Sequence, residues 1–303
     1  MFSVLLCVCC AWARAASMDF VYPPPETPND QRHLYYWQVL DAALAATRDK
    51  YGDYTLQAYG TAMTFPRAVA EVESGRGRVN IVARGTNLDL EKRLLPIPIP
   101  LDKGLLGNRL MLIMADTQPR VDQVRTVADL ARLSIGQASS WTDVTVLRAA
   151  GLKVVTADDY EGLFQMLSAR RFDLFSRGVN EIESELQTHR ERMPGLVIER
   201  SLMLQYPMPR YFFVPRTPEG ERMAARIREG IARLVKSGEF ERRYQAYKRL
   251  ILGDLDLAGR RVLRLPNPEL SPLAPLADKY WWDDLSAETA PRAPIKPASL
   301  RGH

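Results

Sequence analysis

Between Leu94 and Met114 the chain reads LLPIPIPLDKGLLGNRLMLIM, in which three prolines on alternate residues lead directly into an apolar run. Proline has no N–H to give a sheet ladder, so Pro96, Pro98 and Pro100 cannot lie inside a central strand. The run from Asn108 to Asp116, by contrast, reads as a buried strand. A second proline-punctuated extended run, LMLQYPMPRYFFVP, covers Leu202 to Pro215. Any fold for this chain must therefore accommodate two stiff, extended passages.

The segments around those passages alternate between strand and helix patterns. Before the first, MDFVYPPP (Met18 to Pro25) reads as a short strand stopped by prolines, and HLYYWQVLDAALAATRDKYG (His33 to Gly52) as an amphipathic helix ended by glycine. YTLQAYG, TFPRAVAEVESGRG and VNIVARGT then read as strand, helix and buried strand. The middle third repeats the rhythm through TVADLARL, SIGQAS, TDVTVLRAAG, KVVTAD, YEGLFQMLSARR and FDLFSRG. Such alternation predicts an α/β fold with mostly parallel sheets covered by helices on both faces. Two extended crossings flanking a middle unit predict a two-lobed molecule with two hinge crossings. Lobe 1 is expected to be discontinuous, from residues 16–110 and 207–252, with lobe 2 at 111–206. Alternating prolines suit a crossing because they hold the backbone extended without offering an edge for pairing.

The first residues follow another logic. FSVLLCVCCAWA has the length of a secretory apolar core, and ARAA (Ala13 to Ala16) offers small residues at a signal-peptidase spacing. A signal peptide at residues 1–15, cleaved after Ala15, is expected, although no Lys or Arg precedes the apolar run, so the basic region is poor or the true start lies upstream. A membrane anchor is disfavoured because the run is shorter than the roughly 20 residues needed to span a bilayer. Cys7, Cys9 and Cys10 all lie in this segment, so the cleaved chain would have no disulfide, thiolate nucleophile or Cys-based zinc site. His33, His189 and His303 are far apart and show no ligand spacing. Neither a metal nor a cofactor is indicated, and the expected location is the periplasm.

A net charge of +5 and a pI near 9.1 raise the question of nucleic acid. The basic residues are interleaved with acids, as in PEGERMAARIREGIARLVKSGEFERRYQAYKRL, where Glu and Arg recur three or four apart as on a solvated helix face. No basic block and no aromatic-laced RNA-binding motif is present, which argues against a nucleic-acid partner.

The order of elements, and EGERMAARIREGIARLVKSGEFERRYQAYK in particular, resembles the closing helices of the type 2 periplasmic solute-binding proteins, the family that includes polar amino-acid receptors of ABC transporters. Gly238, Phe240 and Tyr244 fall where that family places a glycine and then a short helix with an aromatic. ARRFDLFSRG and LLPIPIPLDKGLLGNRLMLI match its lobe 2 strand and its first hinge strand, and the resemblance covers roughly residues 18 to 252. It implies a receptor that closes on a small solute in a cleft, with no catalysis. The implied partners are that solute and an ABC permease or another envelope protein, with no membrane insertion after cleavage and a monomeric chain.

Ligands of open α/β sheets lie beyond the carboxyl ends of strands. The strand ends offer Tyr22, then Arg84 with Thr86, then the loop QASSWTD. There Ser139, Ser140 and Thr142 offer hydroxyls and N–H groups at a helix N-terminus, and Trp141 a stacking face. Arg177 ends a lobe 2 strand, and Arg93 falls near the family's carboxylate-binding arginine. Each has a plainer reading: Thr142 or Asp143 as a helix cap, Tyr22 and Trp141 as packing, Arg84 as an ion pair, Arg93 as a solvated helix end. Where the family's amino-acid receptors carry an acidic residue for the ligand ammonium, this chain has Gly178. An ammonium without a carboxylate would be costly to desolvate, so an acidic or polar uncharged solute is expected. Glu181 and Glu183 read as a solvated helix start.

Residues 253–303 fall outside the family pattern. RRVLRLPNPELSPLAPLADKYWWDDL is rich in proline yet holds Trp281 and Trp282, and reads as a strap docked on the lobes, with a short strand at Val262 to Leu265. From about Ser286 the composition is that of a disordered terminus. Three functions remain open: a receptor for an importer, an orphan sensory or scavenging binder, and a cyclohexadienyl-dehydratase-like enzyme. The last is least supported, since no histidine or carboxylate pair marks a strand end.

Overall fold

The computed structural model describes residues 17–24, 34–76, 78–253 and 255–292. The expected signal segment, the prolines after Pro24 and the last eleven residues lie outside these. Twelve strands are numbered in chain order. The first four are β1 (Met18–Tyr22), β2 (Tyr54–Ala58), β3 (Val82–Gly85) and β4 (Leu95–Ile97). The middle of the chain gives β5 (Asn108–Met114), β6 (Ser134–Ala138), β7 (Lys153–Ala157), β8 (Leu174–Gly178), β9 (Leu196–Ile198) and β10 (Leu202–Gln205). β11 (Arg210–Val214) and β12 (Arg261–Arg264) follow.

Two lobes result. In the first, β1 pairs with β2 in parallel, and β11 lies between β3 and β4. Asn80 joins the two ladders: its N–H donates to Val21 O at 2.9 Å, and its side-chain oxygen accepts from Val21 N–H at 2.8 Å. In the second lobe the order is β12-β10-β5-β8-β6-β7, with β9 also on β5. Every antiparallel pair contains β5 or β11, the strands that carry the chain into and out of the second lobe. The β1–β2, β6–β7, β6–β8 and β10–β12 pairs are parallel.

The prolines act at the edge. Pro96 lies in β4 opposite Phe213, on the outer strand of its sheet, where a missing N–H is tolerated. Pairing thus runs through Pro96 to Ile97, two residues further than a lead-in unpaired from Pro96 would allow. Residues 98–107 then form the first crossing and 206–209 the second. The two are tied together: Tyr206 N–H donates to Gly107 O at 3.1 Å, and Leu101 N–H to Arg210 O at 2.9 Å. A Cβ on Gly107 would lie 1.9 Å from Tyr206 O, so only glycine allows this approach.

Helices Leu34–Ala45, Pro218–Lys236 and Glu239–Leu252 complete the first lobe. Thr217 caps the second of these, accepting from Gly220 N–H at 3.1 Å. One apolar cluster contains Phe20, Tyr36 and Phe212 of the first lobe, Leu101, Leu105 and Leu285 near the crossings, and Leu112 and Phe175 of the second lobe. Alternate residues of β5 point to opposite faces, so Met111 and Ile113 fall in a separate cluster with Ile135 and Leu263. Residues 286–289 form a helical turn in which Glu288 pairs with Lys248 at 2.7 Å. Order therefore extends past Ser286, where composition predicts disorder, because a buried Leu285 and this ion pair hold the turn.

Candidate functional site

The loops that follow β3 and β6 meet where the two lobes come together. After β3, Asn87 caps the helix Leu88–Arg93 by accepting from Leu90 N–H at 2.8 Å. Its amide nitrogen also donates to Thr142 Oγ1, 3.0 Å away in the second lobe. This side-chain bond joins the loop holding Arg84 and Thr86 to the loop holding Ser139, Ser140, Trp141 and Thr142.

Within those loops the residues differ in what already engages them. Ser139 and Ser140 are exposed, and Trp141 and Thr142 are half-buried. The Arg84 guanidinium lies 3.8 Å from the centroid of the Phe65 ring. Thr86 is fully buried, and its hydroxyl donates to Glu91 at 2.5 Å while its N–H donates to Pro209 O. Tyr22 stacks on Trp37 with centroids 4.1 Å apart, as packing for the first helix requires. Arg93 pairs with Glu73 at 2.7 Å and with Asp89 at 3.6 Å on the surface.

Beneath the loops lies a cluster of buried charge. Arg109, 3% exposed, contacts Asp143 Oδ1 at 2.8 Å and Glu181 Oε1 at 3.2 Å. Tyr206 donates its hydroxyl to the same Asp143 oxygen. Arg177 pairs with Glu181 at 2.7 Å and with both oxygens of Glu185 at 2.6 Å, its guanidinium 4.4 Å from the Trp141 ring centroid. Burial alone would lower the pKa of these guanidiniums, but the adjacent carboxylates outweigh it and hold both above their ordinary value. Asp143 begins a helix yet turns its carboxylate to Arg109, so the helix-cap reading does not describe its side chain.

Glu181 corrects an expectation. It is not a solvated helix start, since two guanidiniums and Gly178 N–H bind it, the last at 3.0 Å. A Cβ on Gly178 would lie 2.5 Å from Asn180 Oδ1, 3.0 Å from Glu181 Oε1 and 3.1 Å from Arg109 Nη1. The space beside Gly178 is thus filled, and the Glu181 carboxylate there is already matched by two cations.

On the first-lobe side, Arg210 lies 4.7 Å from the Tyr36 ring centroid and donates to Ala83 O at 3.1 Å. Its Nε is 3.8 Å from Asp102, whose carboxyl is pushed above its ordinary pKa by burial, with Arg210 only partly opposing. Sequence reasoning missed Arg109, Arg210, Asp102 and Asn87. The signal available was a single charge inside otherwise apolar strands, as in NRLMLIM and PRYFFV, which asks for a buried partner.

Two lobes, two crossings and strand-end loops that meet between them match solved structures. An ancestral arginine-binding protein bound to arginine superposes with a TM-score of 0.52 at 16% identity, covering 77% of this chain and 99% of that one. The fold is that of the type 2 periplasmic solute-binding proteins. A structure from work on glutathione import through GshT and the cystine ABC importer TcyBC of Streptococcus mutans gives a TM-score of 0.52 at 12% identity, covering 76% of this chain and 95% of that one. The ancestral amino acid-binding protein AncCDT-1, a precursor of cyclohexadienyl dehydratase, gives 0.50 at 11% identity, covering 76% and 94%. No protein-family model matches the chain, and no curated protein does.

Proposed function

We propose that this chain is an extracytoplasmic solute-binding protein that holds a small acidic or polar uncharged solute between its lobes without transforming it. The observation that carries the reading is the meeting of the β3 and β6 end loops through Asn87 and Thr142, the place where open α/β sheets take ligands. Arg84 would meet an anionic group, Ser139, Ser140 and Thr142 would supply hydroxyls, and Trp141 a flat face, with Tyr22 at the rim. Thr86, Arg93 and Arg177 would support the site through their internal partners and not touch the solute.

The charge cluster supports the choice of solute. An ammonium group brought toward Gly178 would have to compete with Arg109 and Arg177 for Glu181, and displacing a buried pair leaves charges unmatched. The chain therefore disfavours α-amino acids and basic solutes even on an amino-acid-receptor fold. No helix among the described residues is long and apolar enough to cross a membrane. The cleft carboxylates are tied to guanidiniums, which suits binding better than general-base chemistry.

Thermal-shift and calorimetric titration with dicarboxylates, hydroxy acids, uncharged polyols and arginine tests this. Binding to the native form alone raises stability by about 2.7 kcal/mol at a ligand excess of 100 times Kd. A rise with carboxylates and none with arginine is the expected result. Tight arginine binding refutes the solute class, and turnover of a prephenate-like compound refutes the non-catalytic reading.

A further inference from the structure

The chain does not end with the first lobe's closing helix. From Leu255 it runs to the second lobe, where β12 adds in parallel to β10, with Arg261 N–H donating to Ser201 O at 2.8 Å. Arg260 there pairs with Glu199 at 3.1 Å, both buried. Next it follows the crossings: Asn267 donates its amide to Pro207 O at 2.7 Å. Finally it returns to the first lobe, where Asp283 accepts from Tyr244 at 2.7 Å and Lys248 at 2.6 Å, and Trp281 meets Phe240 edge to face.

The return passes directly over the first crossing. Lys103 and Gly104 have φ of 48° and 75°, left-handed values where a lysine is uncommon. Lys103 is held on three sides: its O accepts from Asp283 N–H at 2.8 Å, its Nζ meets Glu241 at 2.5 Å, and Nζ lies 3.8 Å from the Tyr280 ring centroid. A Cβ on Gly104 would stand 2.6 Å from Trp282 Cε3, so the indole rests on the turn itself. Gln205, just before the second crossing, donates to Asp284 O at 2.8 Å. A hinge works by absorbing φ/ψ change in a few residues. Here those residues carry contacts from a segment that is also fixed to both lobes.

We propose that residues 261–289 are a clamp that fixes the angle between the lobes, so that the molecule holds one interlobe geometry whether or not a solute is present. The solute then enters a preformed cleft and does not drive a large closure. A ligand shifts a conformational equilibrium only by its differential affinity for the two states, and the clamp supplies that bias from within the chain.

Spin labels test the clamp in the absence of any solute, so the outcome is independent of what the cleft binds. With Cys7, Cys9 and Cys10 changed to Ser, Glu221→Cys on the first lobe and Lys153→Cys on the second report the interlobe distance by electron double resonance. The intact chain should give one narrow peak. Trp282→Ala with Asp283→Ala should broaden it or add a second peak displaced by more than about 2 Å. The milder pair Trp282→Phe and Asp283→Asn, with circular dichroism to confirm folding, should give a smaller change in the same direction. A broad or two-peaked distribution in the intact chain overturns the proposal, as does an unchanged peak in folded variants of both pairs.

Discussion

On one side of β5, Arg109 enters a cluster of guanidiniums and carboxylates; its neighbour Asn108, facing the other way, receives Gln205 and lies 3.5 Å from Asp283 O of the strap. Cleft and strap thus meet on adjacent residues but are held differently. The cleft side concentrates its charges in one buried cluster, expensive to leave half-made. The strap side spreads its contacts along the chain, from the buried Arg260–Glu199 pair through backbone carbonyls and two indoles to Asp283 on Lys248, and can be loosened piece by piece. One face therefore carries a compact set of buried charges, and the other a series of separate contacts on the crossings.

The sharpest way to break the cleft side is Arg109→Leu, which leaves Asp143 and Glu181 without that cation. A loss of about 3–5 kcal/mol is expected in chemical denaturation. Gly107→Ala strikes both sides at once by forcing the crossings apart, with an expected loss of about 3 kcal/mol by the same measurement.

On the strap side, Asp283→Ala should cost about 2 kcal/mol, in line with hydrogen bonds to charged groups. This effect also has a pH signature. Burial tends to raise the pKa of Asp283, but the bonds from Lys248 and Tyr244 outweigh it and hold the carboxyl below its ordinary value. A depressed carboxyl stabilises above the unfolded value near about 4 and loses that contribution as pH falls through the folded value. Stability curves of the wild type and Asp283→Ala should therefore converge in acid. The smallest effect belongs to Arg93→Ala, at about 0.5 kcal/mol or less and reduced by salt, because its partners lie on the surface. A large Arg93 effect on solute affinity would instead move the anion contact away from Arg84.

The fold was legible where a local pattern has one structural outcome. The apolar Asn108–Met114 run, the proline passages and the strand-helix rhythm each follow from side-chain period or a missing N–H. The strap strand read at Val262 to Leu265 and the observed Arg261–Arg264 differ by one residue. The site was less legible because its partners are distant in the chain: Arg109 meets carboxylates 34 and 72 residues on, and Tyr206 meets Asp143 from 63 residues away. Thr142 read as a cap or ligand contact, but Asn87, 55 residues earlier, could not be assigned to it from spacing. The solvated reading of Glu181 failed only partly for that reason: Arg109 lies 72 residues away, but Arg177 is just four residues before it and was within reach of a spacing argument.

The contact of Gly107 with Tyr206 has a further meaning for how this neck can vary. Because residues 101–107 form a turn and a short helical loop and Gly107 stays pinned to Tyr206, a residue added between Pro98 and Gly104 would be taken up in that loop and leave Arg109 and Asn108 on their present faces. A residue added between Gly107 and Leu110 would instead slip β5 against β8 and exchange those two side chains.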